Sequence, residues 1–205
     1  MTMPTLKVPR KVRSQQVKQK IFDAALALIQ EKGYEYVTVN NVCQTAKVSV
    51  GSFYHHFGNK DELLSYYFVA GYERYKNESQ PPESDDFIEQ ILYIFGLYVR
   101  FCLDQDIQFI KNFYTPSNAS LYITADDVSD KTRLPILAKV YEALEEARKK
   151  SQLPERINTR ELAEDLCVLE KGCIFEYALS DGRYPLWDRS QKMLCAVLKG
   201  LAATD

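Results

Sequence analysis

The sequence predicts an all-α fold in two parts, a small N-terminal helix-turn-helix over residues 14–60 and a larger helical part over residues 61–205. Two observations lead to this prediction. Apolar residues recur at helical spacing along most of the chain, and no segment alternates apolar and polar residues as a half-buried strand does. In the N-terminal part, residues that cap helices are separated by very short turns, which indicates a unit of steeply crossing helices.

The first three helices are predicted from their caps and apolar stripes. Apolar spacing indicates a helix over residues 17–32, with Gly33 as its left-handed C-cap. Thr38 and Ser49 are N-cap residues that open a second, short helix and a third helix running through Phe57. The stripe of the second helix is Val39, Val42, Cys43 and Ala46. Because the two caps lie so close together, these helices must cross steeply, as in a helix-turn-helix.

The rest of the chain is predicted as six further helices. Asn59 and Glu62 have the spacing of a capping box, and they open a fourth helix that ends near Lys76. A polar, proline-bearing break over residues 77–86 follows. The later helices are placed at residues 87–103, 106–114, 134–150, 159–179 and 188–202. The helix at 87–103 is apolar on nearly every face, so we expect it to be central and buried.

The composition is that of a globular protein from a reducing compartment. The chain has 205 residues, 46% of them hydrophobic and 26% charged, which is enough to bury a sizeable core. The five cysteines are scattered without CxxC spacing, so we expect neither disulfides nor a zinc site. No signal peptide is apparent, and no stretch approaches the roughly 18 apolar residues of a membrane span. We therefore expect a cytoplasmic protein with no membrane role.

Charge is distributed unevenly along the chain. Residues 1–60 carry nine basic and three acidic side chains, a net charge of +6 that leaves −8 for the rest, since the whole chain has −2. A basic head on an acidic body is typical of a chain that presents one end to polyanions. A charged tail that only solvates an ordinary domain would give the same charge distribution. Sequence motifs are therefore needed to distinguish this alternative from binding to a polyanion.

A dense motif extends across the helix-turn-helix. Its segments are GYEYVTV at residues 33–39 and AKVSVGSFYHHFGNKDELL at residues 46–64. This motif resembles the DNA-binding signature of the TetR/AcrR family of transcriptional regulators, and the resemblance covers about residues 14–65. Two positions depart from the family pattern. Lys47 stands where glycine is frequent, with a cost of about 1 kcal/mol if its backbone is left-handed, and Val42-Cys43 replaces the usual Ile-Ala.

The resemblance implies a DNA-binding transcriptional regulator that binds an inverted-repeat operator as a homodimer. We expect a repressor that a small organic ligand releases from double-stranded operator DNA, with no cofactor. A ligand-responsive activator and a helical protein-binding module are the alternatives. A small helical enzyme is disfavoured, because the larger part has no histidine, no glycine-rich phosphate loop and no paired carboxylate motif.

The third helix carries the candidate DNA contacts. A helix in the major groove reads base edges with its exposed N-terminal face. The expected base-reading residues are Ser49, Val50, Ser52 and His55. Gly51 lets the helix backbone approach the groove floor, whereas Phe53 and Phe57 should face the core. The residues that the resemblance places at phosphates, where contacts fix register without reading sequence, are Thr38, Tyr54, His56 and Lys60.

Two further features of the N-terminal part bear on its partners. Adjacent residues on a helix point about 100° apart, so His55 and His56 cannot chelate one metal ion together, and we expect no metal. The basic residues near the N-terminus form either a disordered tail or an arm that reaches DNA. These residues are Lys7, Arg10, Lys11 and Arg13.

The larger part supplies the expected dimer interface and ligand site. The resemblance implies that the last two helices pair with those of a second copy, although an internal core would have the same residue types. The residues expected there are Leu169, Cys173, Tyr177, Leu194, Val197, Leu198 and Leu201. The aromatic residues expected to line a ligand cavity are Tyr93, Tyr98, Phe113, Tyr114, Tyr141 and Phe175. Arg100 and Lys171 could pair with an anionic ligand, but Glu170 and Glu176 are also available to Lys171.

Overall fold

The computed structural model describes residues 9–118, 121–122 and 135–202, and this part of the chain is helical without strands. The predicted all-α fold class is therefore confirmed. A short 3₁₀ turn at Tyr34–Tyr36, which the sequence pattern did not predict, follows the first helix. The α-helices are α1 Arg10–Lys32, α2 Val39–Ala46, α3 Val50–His56, α4 Lys60–Glu78, α5 Phe87–Leu103, α6 Ile107–Phe113, α7 Pro135–Lys149, α8 Thr159–Leu179 and α9 Leu186–Ala202.

The predicted N-caps are all in place at the start of α2, α3 and α4. The Thr38 hydroxyl accepts from the backbone N–H of Asn41 at 3.1 Å, and the Ser49 hydroxyl accepts from that of Ser52 at the same distance. At α4, the side chain of Asn59 accepts from the backbone N–H of Glu62 at 2.8 Å. The Glu62 carboxylate in turn accepts from the backbone N–H of Gly58 at 2.7 Å. These bonds satisfy backbone donors that a helix start leaves free.

Helix α1 begins earlier than its apolar stripe predicts. The stripe starts at Val17, but the helix starts at Arg10, behind Pro9, whose φ of −53° suits a helix N-terminus. The extra turns are mostly exposed polar residues, several of them with good helix propensity, and the apolar Val12 among them is 41% exposed, so they have no buried face. Arg10, Lys11 and Arg13 therefore belong to α1 and not to a disordered tail, while Lys7 lies outside the described residues.

The chain forms two compact units, the first ending at Leu64 and the second beginning at Ser65. The core of the first unit is built on α1 and on aromatic residues of the turn and α3. Phe53 and Phe57 are 0% and 2% exposed, and their ring centroids lie 6.0 Å apart, as the sequence pattern predicts. The other buried side chains of this core include Ile21, Phe22, Ala25, Ile29, Tyr34, Val37, Val42, Cys43 and Leu63.

Helix α5 lies at the centre of the second unit, where it packs against α7, α8 and α9. Most of its side chains are buried, but Leu103 and Arg100 are exposed and Leu92 and Gly96 are half-buried, so one stripe of this helix is left uncovered. Within the described residues, no helix is both long enough and apolar enough to span a membrane.

The side chain of Glu170 on α8 has a carboxyl group that is buried in the core of the second unit. The residue is 1% exposed. One carboxyl oxygen accepts a hydrogen bond from the hydroxyl of Ser190 on α9, and the other has no hydrogen-bond partner in the part of the chain that the structure describes. Burial raises the pKa of Glu170 to about 7, and the Ser190 hydrogen bond opposes this shift.

The raised pKa of Glu170 predicts a stability that falls as pH increases. The unfolded chain loses the proton near the ordinary value of 4.5, whereas the folded chain keeps it to about pH 7. Between these values the folded state binds more protons, so a contribution of roughly 3 kcal/mol to the free energy of unfolding is lost as pH rises. Glu170→Gln should remove this loss and be the more stable variant at pH 8.

Urea unfolding of Glu170→Gln and wild type at a fixed protein concentration, from pH 4.5 to 8, measures this effect. Glu176→Gln is the matched control, because Glu176 is an exposed residue of the same helix. Stability curves of Glu170→Gln and wild type that run parallel over this range would contradict the prediction.

Candidate nucleic-acid interface

The turn between α2 and α3 depends on a lysine in a left-handed backbone conformation. Lys47 has φ 55° and ψ 47°, and its backbone N–H reaches carbonyls in the last turn of α2. The N–H of Val48 donates to the carbonyl of Cys43 at 3.0 Å, which closes the turn. An L-residue pays for this conformation because its Cβ approaches the backbone, so the strain expected at Lys47 is present.

Helix α3 exposes residues of both sets that the sequence predicts to contact DNA. Val50 is 43% and Tyr54 56% exposed, and these residues lie one turn apart on the same face. Ser49 and His55 are exposed as well, and Ser52 is half-buried. The oxygen of Ser49 is used by the helix cap, but its hydroxyl proton can still be donated.

Gly51 is not required by the packing of the protein itself. A Cβ added at this position would meet only the Ser49 hydroxyl, at 3.9 Å, which is ordinary van der Waals contact. Glycine inside a helix costs about 0.5–1 kcal/mol relative to alanine. The residue therefore lowers helix stability without an internal reason, and it leaves a bare backbone strip on the exposed face of α3.

Positive charge is concentrated where α3 ends and α4 begins. The ammonium of Lys60 lies 3.9 Å from the centroid of the Tyr34 ring, so the 3₁₀ turn holds it by a cation–π contact. The ammonium of Lys18 from α1 lies 5.1 Å from the Phe57 ring. Burial, followed by the charges of His55 and Lys18, lowers the pKa of His56. A neutral imidazole still has one N–H to donate to a phosphate.

Two candidate contributors to this surface were not expected from the sequence. Lys18 reaches the end of α3 from α1, and Tyr36, which is 54% exposed, lies 5.8 Å from the ammonium of Lys32. Both arrangements join residues of different elements. No spacing in the sequence signals them, although the basic character of the N-terminal part is consistent with both.

The aromatic residues predicted to line a ligand cavity have different surroundings in the described part of the chain. Tyr98, Phe113 and Tyr114 are packed in the core, where the hydroxyls of Tyr98 and Tyr114 are hydrogen-bonded to each other. The guanidinium of Arg160 covers the half-buried Tyr141 at 5.7 Å. Phe175 is 46% exposed on the surface of α8.

Tyr93, one of the predicted set, lines a cavity formed by described residues. This cavity, here named the α5 trough, has a volume of about 670 Å³ and runs along the uncovered stripe of α5. The segment after α4 and the first turns of α9 form its sides. Its lining residues are Ser79, Gln80, Pro82, Glu89, Leu92, Tyr93, Gly96, Leu97, Val99, Arg100, Leu103, Asp104, Trp187 and Gln191.

The two cations expected to meet an anionic ligand have different surroundings. The ammonium of Lys171 donates to the backbone carbonyl of Leu121 at 2.9 Å, and burial lowers its pKa. Its partner is thus a carbonyl and neither of the two glutamates considered from the sequence. Arg100 lines the α5 trough, and its guanidinium lies 5.1 Å from the centroid of the Tyr75 ring.

The expected dimer residues lie mostly on the inner faces of α8 and α9. Leu194 and Leu198 are fully buried and Cys173 is 4% exposed within one chain, so these three residues offer no surface to a partner. They form the internal core that the sequence left open as the alternative, and the expectation for them is corrected. Leu169, Tyr177 and Leu201 are half-buried. Val197 is exposed as the expected interface requires.

A different set of residues forms an uncovered apolar stripe on the last two helices. On α8, exposed Val168, Phe175 and Leu179 and the exposed Gly172 follow one another at intervals of three or four residues, so they share one face. On α9, the exposed residues with this spacing are Met193, Ala196, Val197 and Gly200. We call these eight residues the outer stripe.

The capped α2, the tight turn and the exposed α3 form a helix-turn-helix, a unit that many DNA-binding proteins use. Residues 21–67 match the family described as bacterial regulatory proteins, tetR family. Residues 21–67 are therefore a TetR-family segment, and the solved structures similar to the chain over most of its length include TetR-family transcriptional regulators.

Curated relatives are similar to this chain over part of their length. The biofilm operon icaADBC negative transcriptional regulator IcaR of Staphylococcus epidermidis is 27% identical over 103 residues, which are 50% of this chain and 55% of that protein. The transcriptional repressor KstR of Rhodococcus jostii is 31% identical over 83 residues, 40% of this chain and 39% of that protein. The chain thus spans about half the length of these relatives or less.

A solved structure shows the same fold over nearly the whole chain. The TetR-family repressor FadR of Thermus thermophilus, crystallised in complex with lauroyl-CoA, superimposes with a TM-score of 0.61 and 15% sequence identity. The superposition covers 92% of this chain and 96% of that protein. The larger helical part, which the family match at residues 21–67 does not reach, therefore has the TetR-family fold as well.

The left-handed backbone at Lys47 predicts that glycine is more stable at this position. Lys47→Gly should raise the free energy of unfolding by about 1 kcal/mol, because glycine adopts positive φ without a Cβ clash. Lys20→Gly is the matched control, since Lys20 is exposed inside α1, where the same change should lower stability by about 1 kcal/mol. Chemical denaturation of the three proteins measures both effects. Equal losses in the two variants would show that the turn stores no strain.

Proposed function

We propose that the protein is a homodimeric repressor that binds an inverted-repeat operator and is released from it by a small organic ligand. The exposed face of α3, a bare backbone strip beside short polar side chains, is the observation that carries the DNA-binding part. In this proposal residues 14–60 form the DNA-binding domain and residues 61–205 the domain for dimerisation and ligand sensing.

The proposed DNA contacts divide into two classes. Ser49, Val50, Ser52 and His55 read base edges, because they lie at the exposed start of α3 or on the face that continues from it. The other class contacts phosphates and fixes the register of the helix. Its proposed members are Thr38, Tyr54, His56 and Lys60. Lys60 is supported by its contact with Tyr34, because the ring holds the ammonium where α3 ends and α4 begins.

The outer stripe supports the proposed homodimer. A contiguous row of apolar side chains on neighbouring helices is unfavourable in water and marks an interaction surface. Glycines at 172 and 200 meet nothing within 4 Å, so another helix can approach closely there. A two-fold dimer presents two identical copies of α3, and its operator must therefore be an inverted repeat.

Repression and ligand release are proposed from the relatives. IcaR is a negative regulator, KstR is a repressor, and the FadR of similar fold was crystallised with lauroyl-CoA. We propose that ligand binding in the second unit weakens operator binding by roughly 1–3 kcal/mol through a shift of α4, which contains residues of both units. A ligand-responsive activator would use the same DNA surface and remains the alternative.

The proposed close approach of α3 to DNA is tested by Gly51→Ala. Folding should tolerate this change, or gain up to about 1 kcal/mol, because the added methyl group meets no unfavourable contact. Binding to DNA fragments that the wild type selects from a random pool should weaken by about tenfold, since the methyl group would separate the helix from the groove floor. Gel-shift titration gives the affinity, and thermal unfolding serves as the internal control. Full affinity in Gly51→Ala would contradict the proposed contact.

The proposed dimer is tested by placing a charge in the outer stripe. Phe175→Glu should convert the dimer to monomers, because a carboxylate in an apolar seam loses its hydration without gaining a partner. Tyr122→Glu is the matched control, since Tyr122 is a 67% exposed aromatic residue outside α8 and α9. Sedimentation equilibrium distinguishes the states. A dimer that persists in Phe175→Glu, or that is lost equally in Tyr122→Glu, would refute this interface.

A further inference from the structure

The α5 trough has the form of a site for an elongated molecule. Leu92 and Arg100 lie along its floor on the same helix, eight residues apart, which at the α-helical rise corresponds to about 12 Å. The volume of about 670 Å³ is within the range of small-molecule sites. Leu92, Leu97 and Leu103 make much of this floor apolar.

The middle of the trough is shaped by a glycine and the indole that faces it. A Cβ added at Gly96 would lie 3.2 Å from Cη2 of Trp187, so a larger residue at this position would displace the indole. Glycine here costs helix stability but lets Trp187 sit directly over α5. The indole thus forms a flat apolar wall beside a floor without a side chain at that point.

At one end of the trough lies the cationic side chain of Arg100, which can donate hydrogen bonds to a ligand. Arg100 is exposed, contacts the Tyr75 ring and has no carboxylate partner in the described ranges. Asp104 also lines this end, but its carboxylate accepts from the Tyr75 hydroxyl, to which the guanidinium of Arg74 donates. The hydrogen bond described for Asp104 thus goes to Tyr75 and not to Arg100, so the five N–H donors of Arg100 face the trough without a carboxylate bound to them in the described ranges. Glu89 lines the opposite end, about 16 Å further along the helix.

We propose that the α5 trough binds an elongated apolar molecule with one anionic head group. The apolar body lies along Leu92, Gly96 and Trp187, and the head group is bound by Arg100 through charge-assisted hydrogen bonds. Only the regulatory consequence of this binding rests on the proposed ligand-released repression. The trough itself is assigned on its shape and charge.

The trough and the outer stripe use different faces of α9. Trp187 lies about two helical turns before Leu194, so the two share the inward face of the helix. Met193 and Val197 of the outer stripe project to another side and are exposed. A ligand in the trough and a partner on the stripe can therefore be bound at the same time.

The only tryptophan of the chain lines the trough, so intrinsic fluorescence reports directly on its occupancy. The full chain is titrated with decanoate, decanol and decylammonium, three probes with the same alkyl chain and different head groups. Decanoate should change the Trp187 emission and bind about tenfold more tightly than the other two probes, since it alone can pair with the guanidinium.

Arg100→Gln should lower decanoate affinity about tenfold and leave decanol affinity unchanged. Arg160→Gln is the matched control, because Arg160 also lies over a tyrosine ring, at 5.7 Å, but does not line the trough. The proposal is overturned if decylammonium binds most tightly, if no probe changes the emission, or if the two arginine variants behave alike.

A parallel gel-shift with decanoate separates this proposal from the proposed function. Fluorescence binding together with weaker DNA binding supports both. Decanoate that occupies the trough without changing DNA affinity supports the site and refutes release through it. Normal DNA binding without any probe in the trough refutes the site and leaves the DNA-binding function in place.

Discussion

The packing of Phe53 and Phe57 into the core of the first unit is the contact on which the proposed DNA-binding surface depends. Helix α3 has only 7 residues, far fewer than the 12–15 or so at which an isolated helix becomes even marginal in water. Its two buried rings fix the helix in place and in rotation. With that rotation fixed, Val50 and Tyr54 must lie outside. The Ser49 cap and the Lys47 turn then set where the exposed face begins.

Local signals made much of this fold predictable from the sequence. The bounds of α5 and α8 agree with those expected, and the caps at Thr38, Ser49 and Asn59 form the bonds that their positions imply. These features involve residues at most four apart, so one stretch of sequence contains both partners. The direction of Phe53 and Phe57 was predictable for the same reason, because helical period alone separates them from their exposed neighbours.

The faces of the last two helices were not predictable in this way, because both carry apolar residues on two sides. On α8, Cys173 is buried while the neighbouring Phe175 is exposed, and sequence period does not say which side meets the rest of the chain. The same limit applies to ligand residues. Whether an aromatic ring fills the core, as Phe113 does, or lines a cavity, as Tyr93 does, depends on contacts between distant segments. The carbonyl partner of Lys171 is 50 residues away in the chain.

Helix α9 has a buried side and an exposed apolar side, and this division bears on how identical subunits could bind one another in preference to related proteins. Its inward leucines hold the subunit together, while Met193 and Val197 face outward and contribute little to the fold of one chain. If the proposed dimer forms through this face, substitutions on the outer side can change which copies bind one another without disturbing the core. After a gene duplication, a few substitutions on this surface could let one copy bind itself while creating steric clashes with the original protein. In the proposed regulator, mixed dimers with two different copies of α3 on one operator would then be avoided with little change in the stability of each subunit.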